Sequence, residues 1–457
     1  MTAAVAAAPV ARARPAVTWG LYAFIWLLPV HALLITVLFG ALGWPATTVR
    51  GIAAWKEALI AVLFTLALVR ALRHAKVVGA VHWLDLAVAG LGMLALGYLI
   101  GANAWFGSDL PLAAELYGVR DVAFVSLLYF VGRATPEVVG RTGVLRALVA
   151  VAVLTSVVAI VERVLVTPEV LVLLGASRYV QDFLGAAATT TGNVYGLPDN
   201  YWTEIGGRLI QRAGSTYLSA QGLAISFLIL MPAATIWATT ASGAKATLRW
   251  LGYGVLWVAL LLTVTRMTIL VCAVQVAVVL AARRHWAALV GLGLAGLSAL
   301  VAAFLLVPNL ADFVYQTLTW QTPSSVVHLR DWIDGLEYFL RHPLGVGLGS
   351  TDFVAARFGL THLTADNQYL RYGVELGSLG LLSHLAILAG GVANGTSVWL
   401  TAREPAAEYG LLLAVATCGI VVNGLTAVVF NAIFVAYVFY WLAGSLTTIV
   451  ATRGAPG

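Results

Sequence analysis

The chain has 457 residues, 61% of them hydrophobic and only 10% charged, with a formal net charge of +6 and a mean hydropathy of +0.92. A soluble domain carries about 25% charged residues, so this chain cannot clothe a water-facing surface of ordinary size, and disorder, collagen and a disulfide-stapled secreted fold are excluded with it. The basic residues are scattered between apolar blocks rather than gathered into a stripe, which argues against a nucleic-acid partner. Its two cysteines, Cys272 and Cys418, lie inside apolar runs and argue against a disulfide or a Cys-based metal site.

A bilayer span needs roughly 20 apolar residues. Runs near that length predict about twelve membrane helices, at 19–42, 52–73, 82–103, 113–133, 144–166, 217–240, 249–264, 267–282, 286–307, 372–400, 408–428 and 429–449. Helices are required because a run in hydrocarbon must satisfy its own backbone, and the ten-residue alternation of an outer-membrane barrel is missing. Arg12 and Arg14 precede the first run, which reads as an uncleaved signal anchor. The expected fold class is therefore an all-α, polytopic membrane protein, with residues 1–457 forming a single transmembrane domain.

Two long connections interrupt the runs, at 167–216 and 308–371. Fourteen Lys and Arg residues fall in the tails and even-numbered connections, against four (Arg50, Lys56, Arg120, Arg266) in the short odd-numbered ones. The positive-inside rule then puts both termini in the cytoplasm and both long connections on the outer face. At the end of the first connection stands RLIQRAGSTYLSAQ, where Arg208 precedes Arg212 by what would be one helical turn.

Arg266 sits in TVTRMT between two apolar runs with almost no polar loop to absorb it. An Arg within the membrane costs roughly 2.5–3.5 kcal/mol on insertion scales and commonly marks a functional site, although at a span end it can also snorkel to the headgroups. Two or three guanidiniums meeting at the outer leaflet would suit a diphosphate, because the guanidinium fork matches phosphate oxygens bidentately.

The second connection holds His328, His342 and His362 among several acids. Residues 328–341, HLRDWIDGLEYFLR, predict an amphipathic helix with Leu329, Trp332, Ile333, Leu336, Phe339 and Leu340 on one face. Such a helix can lie on the membrane surface, cover a site as a lid, or do both. HPLGVGLGS follows, with alternating glycines at 345, 347 and 349. It reads as a flexible turn or as a place of close backbone approach.

In THLTADNQYLRYGVELGSLGLL, Asp366 or Asn367 can cap the tenth span, and Asp366 can equally be catalytic. On a continued helix His362 and Asp366, four apart, would share a face and could deprotonate a hydroxyl. Glu375 at i+4 is the expected partner of Arg371. The outer connections contain no D-x-D or E-x-D, and the chain has no zinc-type His spacing, Walker A motif or nucleophile elbow.

Taken together, Arg212-Ala213-Gly214 before a span, Thr265-Arg266 between spans, Arg330 leading into His342–Gly349, and Asn367 to Gly380 as N-x-Y-L…E-x-G-x-x-G resemble the O-antigen ligase and polymerase superfamily. The ligases usually carry His just before that Asn, where this chain has Asp366. The resemblance implies a GT-C-like membrane glycosyltransferase of the cytoplasmic (inner) membrane, without cofactor or metal, working on the outer face with inversion. Its partners would be an undecaprenyl-diphosphate-linked oligosaccharide donor, a glycan or glycolipid acceptor and the lipid bilayer. It further implies Arg212 and Arg266, with Arg208, on the diphosphate, Arg330 on the diphosphate or in loop organisation, and Asp366 or else His362 as base. The rival class is a secondary transporter or lipid-linked glycan flippase. Against it stand the lack of an internal repeat and the confinement of charge mostly to span ends.

Overall fold

A computed structural model describes residues 15–73, 80–106, 110–185, 195–197, 201–205, 208–306, 309–360 and 366–453. The chain is an all-α, polytopic membrane protein. Among the described residues ten helices are long and apolar enough to cross a membrane. They include α1 (Pro15–Thr36, extended by a π-helical turn), α2 with α3 (Ala46–Ala53, Trp55–Arg73) and α4 (Trp83–Phe106). The other two of the twelve expected runs are less regular. One is α5 (Leu112–Val119) joined to α6 (Val125–Arg133) through a π-helical turn, with Glu115, Arg120, Asp121 and Arg133 along it. The second, the run at 267–282, forms a helix of 17 residues.

Next come α7 (Gly143–Leu165), a short α8 (Pro168–Leu173) and a β-hairpin. In the hairpin β1 (Trp202–Ile205) pairs antiparallel with β2 (Arg208–Gln211). This hairpin departs from the purely helical expectation. It also places Arg208 on a strand, so Arg208 is not one helical turn from Arg212; at about 3.3 Å per residue it stands roughly 13 Å back along the chain.

After the hairpin the chain forms α9 (Ala220–Thr239), α10 (Gly243–Leu262), α11 (Arg266–Ala282) and α12 (Trp286–Leu306). The second long connection builds α13 (Leu310–Leu318), α14 (Pro323–Arg341) and α15 (Asp352–Arg357). It is followed by α16 (Gln368–Thr401), α17 (Ala406–Asn423) and α18 (Ile433–Arg453). The most enclosed helices are α9 and α18, with α9 packed against α7, α10, α11 and α17 and α18 against α6. No residue of α12 is buried, as fits an apolar helix that faces lipid.

The tenth run is not one straight span. Gly377 has φ 66° and ψ −167°, which breaks α16. Gln368 Nε2 lies 2.8 Å from His384 Nε2, and Tyr372 stacks on the same imidazole at 4.0 Å between ring centroids. A straight helix rising 1.5 Å per residue would hold positions 368 and 384 about 24 Å apart. Residues 368–376 therefore fold back along the helix that follows.

The alternating glycines form the brace for this break. The amides of Val346 and Gly347 donate to the carbonyls of Val374 and Glu375 at 2.9 and 3.1 Å, and Ser378 N donates to Pro343 O at 2.8 Å. Backbone groups released by the kink are thus satisfied by HPLGVGLG, as a buried polar backbone demands. A Cβ on Gly345 would come within 2.5 Å of Gly377 N, and one on Gly380 within 2.2 Å of Leu376 Cβ. The close backbone approach is to the protein's own helix.

Candidate functional site

Arg212 and Arg266 meet at the end of the bundle that carries the two long connections. Arg212 is delivered by the turn after β2, where its Nε donates to Thr263 O at 2.7 Å and its Nη2 to Thr265 Oγ1 at 2.8 Å. Those bonds grip the TVTR turn on both sides of Val264, which has φ +49°. A β-branched residue there is a genuine backbone outlier, and such strain collects at functional sites. Arg266 starts α11, where its Nη1 donates to Thr317 Oγ1 at 2.9 Å and its guanidinium lies 5.2 Å from the centre of the Phe313 ring. Among the described residues neither arginine is paired with a carboxylate. Burial and the neighbouring Arg266 charge lower the Arg212 pKa to about 10. Two like charges held together in a part-buried place form a ready anion site, with Nη1 of Arg212 and Nε and Nη2 of Arg266 left over as donors among the described residues.

The base of the Arg212 turn is fixed by a residue that the sequence did not single out. Glu162, buried in the last turn of α7, accepts from the amides of Gly214 and Ser215, and Ala213 N donates to Leu262 O at 3.0 Å. An acid at a span end beside Arg163 carries no pattern that separates it from an ordinary end charge.

The folded-back part of α16 brings the other candidates to the same place. Asn367, not Asp366, is the cap: its Oδ1 accepts from Tyr369 N and Leu370 N, and its Nδ2 donates to Leu425 O at 3.1 Å. Two residues before Leu425, Asn423 Oδ1 accepts from Thr268 Oγ1 at 2.9 Å, one residue beyond Met267 and two beyond Arg266. Asp366 is thereby free of capping and faces α14, with its Oδ2 3.5 Å from His328 Nδ1. Partial burial in this cluster raises the Asp366 carboxyl pKa; His328 opposes the rise and Asp331 adds to it. His362, the alternative base, lies outside the described residues. The histidine that the fold brings to Asp366 is His328, in sequence only one of three in the second connection.

Helix α14 starts at Pro323 on a Thr322 cap, five residues before the expected 328. Gly335 lies against Leu370, and Gly373 against the Phe339 ring. The stripe turned toward the protein is Ser325, His328, Trp332, Gly335 and Phe339. Leu329, Ile333, Leu336 and Leu340 of the expected apolar face are exposed, which fits a helix lying at the membrane surface. Trp320 meets Trp332 edge to face at 5.6 Å. The contacts run in a ring through Arg266, α13, α14, Asp366, Asn367, Leu425, Asn423 and Thr268.

Arg330 stays outside this ring. Its side chain is 81% exposed and its Nε lies 3.5 Å from Asp334 Oδ2, so no described contact brings it to Arg212 or Arg266. Arg371 pairs with Glu375 at 3.4 Å and with Asp121 at 3.8 Å, while Thr351 Oγ1 donates to Glu375 at 2.7 Å; this knits the fold-back to α5–α6 and the glycine-rich loop.

A cavity of about 380 Å³ runs between α11 and α17, lined by Met267, Leu270, Val274, Val415, Cys418 and Val422 among others. Its lining is almost wholly apolar. One end lies at Met267 and Val422, the immediate chain neighbours of Arg266 and Asn423.

The fold is that of a multi-pass membrane protein with two guanidiniums at the mouth of an apolar groove. Residues 251–385 match the model of the O-antigen ligase family, a similarity that supports the O-antigen ligase and polymerase superfamily over that stretch. The match takes in Arg266, α14, Asp366 and the Gly377 kink, and leaves Arg212 and Glu162 before it. No curated protein matches the chain. The family implies a membrane glycan-processing function and, in general, glycosyl transfer.

Proposed function

We propose that the chain transfers a glycan from an undecaprenyl-diphosphate carrier to an acceptor hydroxyl at the extracytoplasmic face of the inner membrane, with inversion and without a metal. The observation carrying this reading is the pair of guanidiniums without a carboxylate partner among the described residues, standing where the apolar groove begins. A diphosphate would sit on Arg212 and Arg266 while its polyprenyl chain enters the groove from Met267 downward.

As the anomeric C–O bond breaks, negative charge grows on the leaving diphosphate. Fixed guanidiniums in a site partly shielded from water stabilise that charge without reorganising. Asp366, held opposite His328, takes the proton of the attacking hydroxyl, and its raised pKa makes it a stronger base than an ordinary carboxylate. Arg330, on the exposed face of α14 beside Asp334, is left out of this diphosphate site.

The test incubates purified protein with a defined undecaprenyl-diphosphate oligosaccharide, alone and then with candidate acceptors. A glycan ladder without added acceptor identifies a polymerase, and a single acceptor-dependent addition a ligase. Release of free undecaprenyl diphosphate supports either. An intact donor under all conditions, moved across vesicle membranes instead, would establish the transporter reading.

A further inference from the structure

We propose that Glu162 is a positioning residue that seats the Arg212–Arg266 pair, a role that rests on the reading of that pair as the diphosphate site. Glu162 stands in the last turn of a span and is only 5% exposed. Burying a charge there is costly and is retained where it serves a defined purpose. Glu162 Oε2 takes the amide of Gly214 at 3.1 Å and that of Ser215 as well, while Oε1 has no hydrogen-bond partner among the described residues.

The turn it holds is unfavourable by itself. Ser215 has φ +52° and Leu218 φ +49°, a region that side-chain-bearing residues seldom adopt, and Ser215 Oγ adds a second anchor to Thr155 O at 2.7 Å. From this anchored turn the linkage runs outward in two steps. Ala213 N bonds Leu262 O, and the Arg212 guanidinium bonds both sides of Val264. Arg266 lies two residues beyond Val264, so a shift of the Gly214–Ser215 amides displaces both guanidiniums together. Glu162 itself touches neither arginine.

Binding of undecaprenyl diphosphate to the purified full chain in nanodiscs, together with donor and acceptor KM, tests this. Glu162→Ala is expected to weaken diphosphate binding by about tenfold to a hundredfold, the scale of an ångström-sized misplacement, with acceptor KM unchanged. Combined with Arg212→Ala it should add less than about twofold, because the linkage is already cut. Glu162→Gln, which keeps an acceptor oxygen, should restore most of the affinity, whereas Glu162→Asp, one methylene short of the amides, should not. These two variants carry the test if the alanine protein fails to accumulate. Wild-type affinity in Glu162→Ala, full additivity with Arg212→Ala, or equal losses in the Gln and Asp variants would overturn the proposal. Failure of the underlying reading would show differently, as undiminished diphosphate binding by Arg266→Ala.

Discussion

Gly377→Ala gives the sharpest test of the architecture, because the folded-back and straight forms of α16 predict opposite signs. At φ 66° and ψ −167° the backbone lies in a region that only glycine adopts readily, at a cost of about 1–3 kcal/mol for another residue. The added methyl would also stand 2.4 Å from Leu344 C and 2.6 Å from Leu344 O. These are backbone atoms that cannot rotate away, and such overpacking costs about 1–3 kcal/mol more. The total is a destabilisation of roughly 2–6 kcal/mol. In a straight helix the same change would stabilise by about 1 kcal/mol, the ordinary gain of alanine over glycine. The native thiols provide the assay: Cys272 is buried and Cys418 exposed. In a Cys418→Ser background a thiol-reactive dye labels Cys272 only on unfolding, and the thermal midpoint reads stability directly. A marked fall, with loss of glycan transfer, is expected; an unchanged or raised midpoint would refute the fold-back and the docking of HPLGVGLG on it.

The remaining predictions concern the site. Arg266→Ala should lower glycan transfer by about a hundredfold to a thousandfold, as for loss of one preorganised donor to a developing oxyanion, while the protein accumulates normally. Arg266→Lys should not restore it, since an ammonium lacks the bidentate fork. The base must be ionised to act, so a raised Asp366 pKa places the acid limb of kcat/KM above the ordinary carboxylate range. Activity is then full above that limb and is lost as pH falls through it. His328→Gln, by removing the group that pulls this pKa down, should move the limb to still higher pH, and Asp366→Asn should abolish transfer; a pH–rate profile measures both. Arg330→Ala should change turnover by less than about fivefold in the same assay, because an exposed i,i+4 pair contributes about 0–1 kcal/mol.

Much of the fold was legible because lipid imposes a strong rule: apolar runs near span length become helices. Hydropathy could not say which apolar helix is central. By composition α9 and α12 look alike, yet α9 is enclosed and α12 has no buried residue. The break in α16 was hidden because E-x-G-x-x-G is compatible with a helix at modest cost; its meaning lies in the matching glycines of HPLGVGLG, a tertiary fact. The same holds for α14, whose protein-facing stripe is set by small Gly335 against Leu370 rather than by its largest apolar residues.

In the site, Arg212 and Arg266 were readable because a charge beside an apolar run has few structural excuses. Arg330 looked equivalent in sequence but faces outward to Asp334. Glu162 and His328 were not readable, since each gains its role only from what another segment presents to it: two amides for one, Asp366 for the other.

The most direct measurement of the central claim is the equilibrium affinity of the purified protein for undecaprenyl diphosphate, compared among wild type, Arg212→Ala, Arg266→Ala and Arg330→Ala. Affinity should fall sharply in the first two variants and stay near wild type in the third. Equal affinity across all four proteins would contradict the assignment of the paired guanidiniums to the diphosphate.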